Sequence, residues 1–155
     1  MKNGAAAMKT EAATARDDAQ IRQLMADQQH AICAKDADRI MALYANEFVA
    51  FDVKPPYRTK GKVAWRQTWE ACLPCFPDSF QIETRDLTVA VSGDLAFAYW
   101  LFRFAGKEKD HPAMRTWMRI TAAYRRNRGK WRIAHEHLSV PFDPETSKAA
   151  FTLNP

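Results

Sequence analysis

A chain of 155 residues with 47% hydrophobic and 26% charged side chains suits one soluble domain, large enough to bury about 70% of its unfolded surface without metal or disulfide support. No apolar run approaches the roughly 18 residues that span a bilayer, and "MKNGAAAMKTEAATARDD" lacks the apolar centre of a secretory signal, so a cytoplasmic protein with no membrane partner is expected. The formal charge of +5 is densest at Arg125, Arg126, Arg128, Lys130 and Arg132, around a turn "NRG"; a solvated hairpin tip explains it, and no nucleic-acid-binding motif accompanies it.

Residues 1–15 read as a frayed, Ala-rich lead-in to a domain spanning 16–143, with 144–155 as a C-terminal tail. From Asp17 or Asp18 to Ala34, Ile21, Leu24, Met25, Gln28 and Ile32 recur at helical spacing. "KDADRIMALYA" makes a short second helix, "EFVAFDV" a strand, and "KPPYRTKG" a turn, because consecutive prolines lack the amide donors of a strand interior. A third helix, "GKVAWRQTWEACLPCF", spaces Val63, Trp65, Trp69 and Leu73 amphipathically until Pro74 and Pro77 end it. The period then becomes two in "SFQIETRDLTVAVS", "DLAFAYWLFRFAG", "RTWMRITAAYRR" and "KWRIAHEHLSV", with turns at "SGD", "GKEKDHPA" and "NRG". Helices first and antiparallel strands afterwards describe an α+β domain with a curved sheet.

Strand parity raises a question about function. Tyr99, Leu101 and Arg103 share one side of their strand, Trp117, Arg119 and Thr121 one side of the next, and His135, His137 and Ser139 one side of the last, where Trp131 and Ile133 have the same parity. The opposite sides hold Ala98, Trp100, Phe102 and Phe104, then Met118, Ile120, Ala122 and Tyr124. Parity leaves open which face packs under the helices. One face would line a pocket and the other would meet a second copy of the chain.

The order of elements, with "ALYANEFVAFDVKPP", "GKVAWRQTW", "SGDLAFAYWLFRFAG", "TWMRITAAYRR" and "KWRIAHEHLSVPFD", resembles the SnoaL-like and ketosteroid-isomerase-like branch of the nuclear transport factor 2 superfamily over residues 17 to 143. The resemblance implies a cone-shaped α+β barrel in which three N-terminal helices pack on a curved, mostly antiparallel sheet around an apolar cavity, as a homodimer that takes a small apolar or aromatic molecule. It assigns the mixed face to that cavity. It also puts Asp52 where such isomerases keep their carboxylate base, Gln28 in place of their catalytic tyrosine, Trp117 near the place of their acid donor, and Tyr99 where SnoaL-like relatives commonly carry His.

On the residues themselves, Asp52 with His135 or His137 makes an acid–base pair able to move a proton beside a carbonyl, and Arg119, Arg103 or Tyr99 would stabilise the developing negative charge. Gln28, Tyr99, Arg103, Trp117 and Trp69 are the expected substrate contacts. That chemistry suits isomerisation, cyclisation or dehydration with no cofactor; the alternatives are a non-catalytic binding module and a dimerisation domain. His-x-His is too common a spacing to predict a metal, and "CLPC", at a helix end rather than a helix start, reads as two ordinary thiols, Cys72 and Cys75. With Cys33 they make an odd count that fits a reducing compartment.

Overall fold

The computed structural model describes residues 2–107 and 114–155, and in its first helix the side chains from residue 11 onward. Helix α1 (Lys2–Cys33) buries Ile21, Leu24, Met25, Gln28, Ala31 and Ile32 along one stripe, while exposed pairs four residues apart, Arg22 with Asp18 and Gln23 with Asp27, decorate another. The sequence predicts a start at Asp17 or Asp18. The helix instead runs through the Ala-rich lead-in, as the high helix propensity of alanine favours. It ends in a Schellman turn: Lys35 adopts a φ of 54°, its N–H donates to Ile32 O at 2.9 Å, and Asp36 N–H donates to Ala31 O at 3.0 Å. Asp36 then caps α2 (Ala37–Ala42), accepting from Arg39 N at 3.0 Å.

Strand β1 (Tyr44–Phe51) follows, with β2 (Thr59–Lys60) along its edge. Gly61, at a φ of 85° that a side chain would strain, donates its N–H to Phe48 O at 2.7 Å and so starts α3 (Lys62–Cys72) against β1. One 3₁₀ turn containing Pro74, Leu73–Cys75, closes α3. β3 (Phe80–Ser92), β4 (Leu95–Gly106), β5 (Met118–Asn127) and β6 (Lys130–Ser139) make an antiparallel meander. β1 adds to it in parallel beside β6, giving the order β2-β1-β6-β5-β4-β3 among the described residues. The sheet is curved and stays open at β2 and β3. The turn expected at "GKEKDHPA" lies largely outside the described residues; the one at "NRG" puts Arg128 and Gly129 at positive φ, as a tight two-residue hairpin requires. Among the described residues two of its five cations are in ion pairs: Arg126 with Asp17 at 2.6 Å and Asp94 at 2.8 Å, and Arg125 with Glu47 at 3.5 Å.

The expected face assignment is corrected by the structure. Ala96, Ala98, Trp100, Phe102 and Phe104 of β4 and Met118, Ile120, Ala122 and Tyr124 of β5 are buried under the helices. Their neighbours Phe97, Tyr99, Arg119 and Thr121 face outward. In β6 the alternation breaks. Ile133 pairs with Tyr124 but His135 pairs with Ala123, so Ala134 is the extra residue of a β-bulge. Trp131 and Ile133 point inward before it and Glu136 after it, which turns His135 and His137 to the outer face.

Beyond β6, β7 (Phe142–Asp143) and β8 (Lys148–Ala149) form a small hairpin whose turn is held by Asp143, which accepts from Glu145 N and Thr146 Oγ1, both at 2.9 Å. The following residues return over the domain, where Arg85 Nη1 donates to Pro155 O at 2.9 Å. No described helix is long and apolar enough to cross a membrane.

Candidate functional site

Between the helices and the inner face of the sheet lies a cavity of about 570 Å³, within the range that holds small organic ligands. Its walls are mostly apolar: Ile32 of α1, Trp65 and Trp69 of α3, Trp100, Phe102 and Phe104 of β4, Met118 and Ile120 of β5, and Leu138 and Val140 after the bulge. Phe151 and Thr152, from the segment after β8, complete one side.

A buried polar triad, built from three residues far apart in sequence, reaches this wall. Gln28 sits on the buried stripe of α1, Tyr44 opens β1, and Glu136 follows the bulge. Tyr44 Oη donates to Glu136 Oε2 at 2.8 Å. Gln28 Nε2 donates both to Glu136 Oε1 at 2.7 Å and to Tyr44 Oη at 2.7 Å. All three are buried, and Gln28 and Glu136 line the cavity. Burial pushes the Glu136 carboxyl up from its ordinary 4.5 to about 7, with the nearby charge of Asp52 adding to the rise and the bonds from Gln28 and Tyr44 opposing it. Burial, with the Glu136 charge as second cause, also holds the Tyr44 hydroxyl well above its usual range. Glu136 is therefore a carboxyl that both holds and releases a proton near neutrality, the property general acid–base chemistry requires.

Of the residues singled out from sequence, Asp52, Gln28 and Trp69 line the cavity. Asp52, just past β1, accepts from Val53 N at 2.7 Å. The others lie elsewhere. His135 Nδ1 lies 2.8 Å from Val49 O as the donor of that bond, and both His135 and His137 meet the ring of Phe51 edge-on, at 4.8 and 5.6 Å. Arg119 Nε donates to Ser139 Oγ at 3.1 Å on the outer face. Tyr99 stacks on Phe97 there, half-exposed. Arg103 pairs with Glu83 at 2.7 Å and lines a second, polar groove; its guanidinium lies 5.0 Å from the ring of Trp117, with that of Arg85 at 4.7 Å. Trp117 is buried under these two cations rather than in the cavity wall. The histidines and arginines thus do not share a chamber with Asp52, and the carboxyl that does is Glu136.

Neither Glu136 nor Tyr44 was among the site residues expected from sequence. A signal was present: Glu136, Leu138 and Val140 share a parity, and the two apolar members mark an inward side. Among the described residues no cluster of three or more His, Cys, Asp or Glu side chains comes together as a metal site. None of the three cysteines forms a disulfide; Cys72 borders the cavity, and burial raises its thiol pKa.

A family model described as SnoaL-like domain matches residues 21–143. An NTF2-like protein of unknown function from Pseudomonas putida is 39% identical, with 92% of this chain and 99% of that chain covered and a TM-score of 0.84. More distant structures share the fold. A protein of unknown function with a cystatin-like fold from Nostoc punctiforme is 21% identical over 84% of this chain and 94% of its own, with a TM-score of 0.68. A protein of the NTF2-like family from Streptomyces avermitilis, whose proposed activity is that of a dehydratase, is 16% identical over 80% and 95%, with a TM-score of 0.69. No curated protein matches the chain.

Proposed function

The chain belongs to the SnoaL-like family, and from that premise we propose that its cavity takes a small apolar organic molecule and moves a proton on it without a cofactor, as an isomerase, cyclase or dehydratase does. The observation that carries this reading is a fully buried carboxyl, poised at about pH 7, in the wall of an otherwise apolar chamber that also contains Asp52. Two carboxyls in one chamber divide the work: Asp52 accepts a proton from carbon, and protonated Glu136 donates one to the oxygen where charge develops. Glu136 thus takes the role that sequence parity gave to a histidine. Gln28 and Tyr44 position it.

The competing reading is a binding module without turnover. It is favoured by the fact that each Glu136 oxygen already accepts a protein hydrogen bond, as in a purely structural network. Native mass spectrometry of freshly purified protein, followed by denaturation and identification of what is released, separates the two. Catalysis requires that the released molecule be converted by fresh enzyme and that Asp52→Asn bind it without converting it. Conversion retained in Asp52→Asn removes Asp52 from the mechanism; a bound molecule that no preparation converts leaves the binding module.

A homodimer through the outer face of the sheet belongs to the same proposal. Leu95, Phe97 and Tyr99 on β4 and Phe51 on β1 are all exposed by more than a third, apolar surface that a second copy would cover. Three cysteines with no disulfide among them fit a cytoplasmic setting.

A further inference from the structure

Gln28 has one polar atom that the buried triad does not use. Both hydrogens of its side-chain amide are committed, one to Tyr44 Oη and one to Glu136 Oε1. These two partners fix which way the amide points, because the flipped amide would set its carbonyl oxygen against a carboxylate oxygen. Gln28 Oε1 is then left without a hydrogen-bond partner among the described residues. Gln28 is only 6% exposed, and it lines the cavity. Gln28 Oε1 is not among the sealed side-chain atoms that lack a hydrogen-bond partner, such as those of Trp69, Tyr124 and Trp131, so the Gln28 carbonyl opens onto the chamber. An acceptor left facing apolar walls is costly unless something donates to it.

The groups around it narrow what that donor is. A carboxylate at Glu136 or Asp52 offers only acceptor lone pairs, and the one proton of a neutral Glu136 is, in the mechanism above, given to the reacting oxygen rather than to Gln28. The two cations of the cavity wall, Lys54 and Arg115, are both exposed and belong to its outer rim. A ligand carboxylate lying deep in the chamber would meet two carboxyls there. A ketone or ether would place its lone pairs against those of Gln28, and a hydrocarbon would leave the carbonyl unpaired.

We infer that the ligand of this cavity is a neutral, apolar molecule carrying a hydroxyl group that donates to Gln28 Oε1, which makes Gln28 a specificity-determining residue. The inference rests on the cavity-binding reading above and names its substrate class.

Three probes of nearly one shape test it: 9-fluorenol, 9-fluorenone and fluorene, titrated into the folded protein by calorimetry at pH 8.5, where Glu136 is ionised and cannot donate to the ketone. The wild type is expected to bind the alcohol about tenfold more tightly than either analogue, the effect of one hydrogen bond to an otherwise unpaired buried acceptor. Gln28→Met, which keeps the length of the side chain and removes the carbonyl, should cut that preference below about threefold. Tyr44→Phe, which leaves Gln28 Oε1 in place, should keep it. Fluorenone or fluorene bound as tightly as the alcohol, or a preference for alcohol unchanged in Gln28→Met, overturns the inference while leaving the cavity reading intact. If none of the three probes binds, the cavity reading fails and the inference fails with it. Should Gln28→Met not fold, the wild-type ratio alone decides.

Discussion

Replacing Glu136 by Gln isolates the group on which the site turns. In the folded chain its carboxyl ionises at about 7, against an ordinary value of 4.5. Over that interval the folded state holds a proton that the unfolded state has released. Stability from this group is therefore complete below about pH 4.5 and is lost as the pH rises through 7. The interval of about 2.5 pH units, at about 1.4 kcal/mol each, puts the full loss near 3.5 kcal/mol, of which a series starting at pH 4.5 reads about 3. Gln is isosteric and still accepts from Gln28 or Tyr44, so the variant keeps the fold while losing the titration. Urea unfolding of both proteins at intervals from pH 4.5 to 8.5 reads the effect directly. All groups the two proteins share cancel, and Tyr44 and Tyr124, both raised by burial, ionise above this range. The stability difference between wild type and Glu136→Gln should move by about 3 kcal/mol in the variant's favour across the series. Two curves that stay parallel to within about 0.5 kcal/mol would refute the poised carboxyl and the acid–base role built on it.

Three further outcomes follow from the same geometry. Tyr44→Phe removes a hydrogen bond that favours ionised Glu136, so in the same urea series the stability loss should centre at a higher pH than in the wild type, and stability at pH 8 should fall by about 1–3 kcal/mol; an unmoved midpoint would separate Tyr44 from Glu136. Deleting Ala134 removes the extra residue and leaves Ile133 inward, His135 outward and Glu136 inward in unbroken alternation, so the variant should fold and keep the pH dependence near 7 in the urea series; loss of that titration would show that Ala134 is not the extra residue of the bulge. Phe97→Asp puts a charge in the outer apolar patch, and light scattering should find twice the monomer mass for the wild type and the monomer mass for the variant; equal masses would remove that face as a dimer contact.

The sequence carried the elements well, because periodicity records which side of each element leaves water. Ile21, Leu24, Met25 and Ile32 marked the inner stripe of α1, and the change to period two announced the four long strands. Prolines 74 and 77 placed the end of α3. Which face of the sheet is inner was not legible, for two physical reasons. The outer face displays Phe97, Tyr99 and Leu95, and a patch of that composition reads in sequence like a second core. The bulge at Ala134 has no local sign either. Bulges are most readily suspected at glycine, and Ala134 owes its extra place to how β6 fits between β1 and β5, whose registers on β6 both shift around that point. One inserted residue moves every later side chain to the opposite face, so the histidines and the glutamate exchanged places.

The same reasoning explains why the site was harder to read than the fold. A helix stripe is a local pattern, with its members three or four residues apart. The triad joins Gln28 to Tyr44 across 16 positions, Tyr44 to Glu136 across 92, and Gln28 to Glu136 across 108. Each member alone has an ordinary explanation: a polar residue on a helix, an aromatic at the start of a strand, an acid between two histidines. Only the requirement that a buried carboxyl find donors binds them together, and that requirement acts after the sheet has brought α1, β1 and β6 into contact. The family resemblance supplied part of that missing distance by pairing the place of Gln28 with the place of Asp52. It left out Glu136, whose orientation depends on an irregularity peculiar to β6, and it is this residue that turns an apolar chamber into one able to hold and release a proton.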